Sequence, residues 1–100
     1  MKKSTSKNPK EIINHKNSFT IEGTVKWCND KGTCFIINCS YEATNKDGNK
    51  YQSYASQTIT NYLGLEPEVG DIVVVTGHFS TSKSDDKFYN NLIADSIEEA

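Results

Sequence analysis

From Ser18 to Cys28, apolar Phe19, Ile21, Val25 and Trp27 alternate with Thr20, Glu22, Thr24 and Lys26. A period of two predicts a β-strand with one covered face, and Gly23, which interrupts it, marks an expected bulge or sharp bend. Asn29-Asp30-Lys31-Gly32 supplies turn residues, and Thr33 to Tyr41, rich in β-formers, predicts a second strand. A turn at Asn45-Lys46-Asp47-Gly48-Asn49 precedes a third strand from Lys50 to Gln57. Between Thr58 and Leu65 the period changes. Ile59, Tyr62 and Leu63 fall three and four apart, which predicts one or two helical turns closed by Pro67 and Gly70. Asp71 to Ser80 contains Ile72-Val73-Val74-Val75, apolar on both faces and so expected as a central, well-covered strand. Ser82 to Lys87 predicts a polar turn, and Phe88 to Ile97 a fifth strand.

Five strands with a short helical insert between the third and fourth is the order of an OB-fold, an all-β, five-stranded Greek-key barrel with one short helix. Composition agrees with one such domain. A chain of 100 residues buries roughly 60 to 65% of the surface its unfolded form exposes, enough for a single core. Met1 to Asn17 has few apolar residues beyond Ile12 and Ile13, so residues 1–17 are expected as a flexible basic arm and 18–100 as the barrel domain. The arm carries Lys2, Lys3, Lys7, Lys10 and Lys16 against Glu11 alone, while the whole chain has a net charge of −2. There is no arginine, so bidentate arginine readout of bases is absent, leaving stacking and shape. No run reaches the ~18 to 20 apolar residues of a membrane span. With no apolar signal region at the N-terminus and Cys28, Cys34 and Cys39 as an odd set, a cytoplasmic, reducing location is expected.

The stretch Gly23-Thr24-Val25-Lys26-Trp27-Cys28-Asn29, with Lys31-Gly32-Thr33-Cys34-Phe35-Ile36 after it, resembles the nucleic-acid-binding hairpin of the cold-shock domain. Cys28 and Thr33 stand where that family has stacking phenylalanines, so the resemblance implies a binding role only for Lys26, Trp27, Lys31 and Phe35, with Phe35 outward and Ile36 inward. From Tyr51 onward the pattern is similar to the C-terminal half of bacterial single-stranded DNA-binding proteins, through Gly70-Asp71-Ile72-Val73-Val74-Val75-Thr76-Gly77 and Leu92-Ile93-Ala94-Asp95-Ser96-Ile97. That family's long tail with an acidic, phenylalanine-ended tip has no counterpart in this sequence, which ends Glu98-Glu99-Ala100. After Ile36 the cold-shock pattern requires F-x-H-F, where this chain has Tyr51-Gln52-Ser53-Tyr54 after a longer connection. The second resemblance therefore ranks first.

Parity leaves individual side chains open. Trp27 shares strand parity with Val25 and Ile21 and points into the core unless a bulge or strong coiling turns it out. Tyr51 and Tyr54 have opposite parity, and Tyr54, beside polar Ser53 and Gln52, is preferred as the stacking ring. Phe79, Lys83, Lys87 and Tyr89 are expected as a flap that wraps a strand, as the corresponding hairpin does in the DNA-binding relatives. The alternative is that Phe79 and Phe88 cap the barrel while the lysines are solvated. Asp85 and Asp86 at its tip repel phosphate.

Catalysis finds no support. His15 and His78 have no partner that spacing identifies, the cysteines lack C-x-x-C pairs, and no phosphate-cradling glycine loop occurs. The sequence thus predicts a non-enzyme without cofactor or metal. Its expected partner is single-stranded DNA, bound with little sequence specificity. RNA binding of the cold-shock type and a protein-docking barrel are the alternatives. Open strand edges predict a homodimer or homotetramer.

Overall fold

The computed structural model describes residues 12–100. Five strands, β1 (Phe19–Cys28), β2 (Cys34–Thr44), β3 (Lys50–Thr60), β4 (Ile72–Ser84) and β5 (Lys87–Glu99), close a barrel in the order β1-β2-β3-β5-β4. This is the OB-fold. All pairs are antiparallel except β3 with β5, which meet only at Ile59↔Leu92 and Thr60↔Ile93. Among the described residues no helix is long and apolar enough to cross a membrane.

The apolar halves of the alternating strands make the core: Val25, Phe35, Ile37, Ile59, Val73, Val75 and Ala94, with Phe19, Ile21, Cys28, Leu92 and Ile97 against them. Strand β1 serves two neighbours in turn. Phe19 to Thr24 pairs with β4, and Thr24 to Cys28 pairs with β2. Gly23 stands at this change of partner, where a Cβ would overlap the carbonyl oxygen of Asn38. Its glycine is required by close approach. The bulge expected there lies further on, between Val25 and Trp27.

The expected helix is absent. Thr58 to Thr60 instead continues β3, pairing with Cys34 to Ile36 of β2. Asn61 then organises the connection to β4. Its backbone N–H donates to Thr33 (2.8 Å), its amide nitrogen to the carbonyls of Gly32 (2.8 Å) and Leu65 (2.6 Å), and its Oδ1 accepts from Leu63 N–H (3.1 Å). At 2% exposure these bonds matter, because a buried unpaired amide is costly. Gly64, at φ +80°, takes a left-handed conformation that a helix interior does not use. The three-and-four spacing of Ile59, Tyr62 and Leu63 thus reflects one buried strand residue followed by an exposed loop.

Two hairpins outrun the barrel. The β2–β3 ladder extends to Thr44↔Lys50, and β4–β5 to Ser84↔Lys87. The second turn has only Asp85 (φ 50°) and Asp86 (φ 67°) between its strands, the left-handed pair of a type I′ hairpin, which Asp tolerates. It is shorter than the expected Ser82–Lys87 loop. At the base of this hairpin the Asn17 side chain acts as a strand residue: its amide donates to Phe79 carbonyl (2.8 Å) and its Oδ1 accepts Phe79 N–H (2.8 Å).

Candidate nucleic-acid interface

The bulge inserts Lys26 as an extra residue, so Val25 faces Ile37 inside while Trp27 aligns with Ile36 outside. One inserted residue reverses the parity of every later position in the strand. Trp27 is therefore 47% exposed, and Cys28 turns inward with Phe35. Across the sheet Trp27 continues into Ile36 and Thr58. Lys26 is exposed at the bulge, and Lys31 is exposed in the turn after β1, lining a depression with Tyr62.

The implied outward placement of Phe35 is overturned. The ring is 0% exposed and pairs with Ile59 in the core. Even-numbered residues of β2 form the outer face with Ile36, and the odd ones, Phe35 and Ile37, fill the barrel. Phe35 is a packing residue.

Tyr54, opposite Ser40, lies on the same outer face as Ile36 and Thr58 and is 68% exposed. It stands four residues from Thr58, about 13 Å along β3. Tyr51 lies on the other face of the projecting hairpin, near Tyr41, both exposed. Tyr41 shares parity with core Ile37, which hid it from alternation. It is exposed because the hairpin there has outrun the barrel.

The β4–β5 hairpin does not gather its four expected residues on one face. Phe79 and Lys83 share a side with Leu92 and Phe88, whereas Tyr89, opposite Ser82, and Lys87, opposite Ser84, occupy the other. Phe79 packs against Phe19 with ring centroids 5.4 Å apart, capping the barrel. Phe88, expected only as a cap, is instead exposed at the tip, with Lys83 Nζ 5.7 Å from its ring centroid. Two ring-bearing faces thus result: Trp27 and Tyr54 on the barrel, and Phe88 with Lys83 on the hairpin.

No protein-family model matches this chain, and no curated protein sequence does. Solved structures do. A deletion mutant of the single-stranded DNA binding protein from Thermus aquaticus superimposes with a TM-score of 0.63 at 14% identity, covering 84% of this chain and 50% of that one. The chain shares its fold with a single-stranded DNA-binding protein. It spans half the length of that Thermus chain. The dimeric N-terminal domain of PriB from Thermoanaerobacter tencongensis matches at a TM-score of 0.43 and 21% identity, covering 84% of this chain and 96% of that one. A small single-stranded DNA binding protein from Mycoplasma pneumoniae matches at 0.44 and 12%, covering 83% and 92%.

His78 Nδ1 lies 3.1 Å from both carboxylate oxygens of Asp95, which sits in the bulge between Thr76 and Gly77. No nucleophile joins this pair among the described hydrogen bonds. Cys28, Cys34 and Cys39 are free thiols. Partial burial first, then the Glu66 carboxylate and Cys34, push the Cys28 thiol above its ordinary value, which lowers its thiolate fraction. Among the described residues no cluster of His, Cys, Asp or Glu is arranged to hold a metal.

Proposed function

We propose that this protein binds single-stranded DNA with little sequence specificity, as a binder and not an enzyme. Bases stack on Trp27 and Tyr54, and Lys26 and Lys31 meet phosphates. Exposed rings on an OB face with nearby lysines suit sequence-tolerant stacking, worth about 1–3 kcal/mol per base. The observation that carries this reading is the Lys26 bulge, which turns Trp27 to the outer face shared with Tyr54. The strand continues toward the β4–β5 hairpin, where Lys83 and Phe88 engage it on one side and Tyr89 and Lys87 on the other. The Thermus relative of the same fold is itself described as a single-stranded DNA binding protein.

RNA binding of the cold-shock type ranks lower, because Phe35, central to that comparison, is in the core. Homo-oligomerisation is proposed through open edges: Cys39 to Thr44 of β2 and Phe19 to Gly23 of β1 pair on one side only. We place the protein in the cytoplasm, where its free thiols persist.

Titrating Trp27 fluorescence with DNA and RNA oligonucleotides of one sequence, and with duplex DNA, tests the reading. Quenching by the single-stranded DNA, weaker with RNA and weakest with duplex, is expected. Equal affinity for duplex and single strand removes the stacking mechanism.

A further inference from the structure

The end of the barrel formed by the 61–71 connection and the last residues has an apolar floor that the described chain leaves uncovered. Leu65, Val69 and Ile72 are exposed there. Leu65, Pro67 and Ile97 line a depression of ≈ 210 Å³, and an adjoining one of ≈ 370 Å³ reaches Ile72. Glu66, Asp71, Glu98 and Glu99 rim the first, and Asp71 and Glu99 also border the second. Such a rim repels phosphate and favours ammonium groups.

The occupant that fits is an apolar anchor among lysines, and this chain carries one. Ile12-Ile13 lies between Lys10 and Lys16, with Lys2, Lys3 and Lys7 beyond, and both isoleucines are exposed. Position decides whose segment it is. Asn17 is bonded to Phe79, seven residues along β4 from Ile72, about 23 Å. Ile12 is five residues from Asn17, a reach of at most ~18 Å. With Asn17 so bonded, Ile12 and Ile13 lie exposed and line neither depression of their own chain. A donor segment at one end and an acceptor floor at the other describe a heterologous, head-to-tail contact.

We propose that the floor of Leu65, Pro67 and Ile72 docks the Ile12-Ile13 anchor and flanking lysines of a second copy of this chain. On a bound strand this contact lines up consecutive copies, a consequence that rests on the DNA reading; the contact itself needs no nucleic acid.

The test uses the full chain without nucleic acid. Sedimentation of the unaltered protein is expected to show self-association that weakens as salt rises. Glu66→Lys/Glu98→Lys and Lys10→Glu/Lys16→Glu should each weaken it by about tenfold or more, since like charges then meet. Combining the two reversals should restore it. In a mixture of light- and heavy-isotope protein, carbodiimide should link Lys10 or Lys16 to Glu66 or Glu98 between differently labelled chains. Three results overturn the proposal: association indifferent to both reversals, combined reversals that rescue nothing, or links found only within one chain. Failure of DNA binding leaves this result untouched, and failure here leaves the DNA reading untouched.

Discussion

Trp27 and Phe35 sit eight positions apart, both aromatic and both on the first hairpin, yet they should respond oppositely to truncation. Trp27 is half exposed and packs little, so Trp27→Ala is expected to melt near the parent temperature and to lose about 1–3 kcal/mol of single-strand affinity. Phe35→Ala leaves a cavity among Val25, Ile37 and Ile59 and should cost ~3–5 kcal/mol of stability. Thermal melts alongside oligonucleotide titration separate the two; a melted Trp27→Ala protein contradicts the outward placement. Asn61→Ala should cost about 1–3 kcal/mol, because Leu63 N–H and the carbonyls of Gly32 and Leu65 lose their partner. Chemical denaturation checks this.

The two projecting hairpins decide how much of a strand is covered beyond the barrel. In β4–β5, the tip residues Asp85 and Asp86 satisfy the turn conformation but place two negative charges beside Lys83 and Lys87. Asp85→Asn/Asp86→Gly keeps the left-handed backbone with residues that favour it. Single-strand affinity should rise and its salt dependence steepen, as titration at two salt concentrations will show. Unchanged affinity would mean that the strand does not reach this tip. Lengths of these hairpins were only partly legible in the sequence. Ser82 to Lys87 is polar throughout, so nothing in its composition separates a solvated strand end from a loop.

For the molecule as a whole, charge is separated by position. The acidic end around Glu66, Asp71, Glu98 and Glu99 lies away from the Asn17 attachment of the lysine-rich segment. Lys26→Ala should lower single-strand affinity alike for all sequences and reduce the salt slope by about 0.7, the share of one phosphate contact. Residues 1–11 lie outside those described, but Asn17 belongs with the barrel. At concentrations too low for self-association, removal of residues 1–16 should leave the melting temperature unchanged, whereas removal through Asn17 forfeits two hydrogen bonds to Phe79, together about 1–3 kcal/mol. Calorimetry of the two truncations gives the comparison.

Strand number and much of the core were determined by local pattern; the closure of β3 on β5 was not. Alternation at Phe19 to Val25 marks one face for the core, and Asn-Gly-rich stretches leave few alternatives to turns. The run Ile72 to Val75, expected to be covered on both faces, buries Val73 and Val75 but leaves Ile72 exposed, because nothing packs on its outer side. Three further features were decided only in three dimensions. The bulge at Lys26 depends on how β1 passes from β4 to β2, and parity along one strand carries no record of an extra residue. Asn61 replaces a helix because its amide meets Gly32, which lies far away in sequence. Tyr41 is exposed because β2 outruns its neighbour β1. Alternation specifies which residues share a face. Whether that face is covered depends on the strands packed against it, which only the closed barrel supplies.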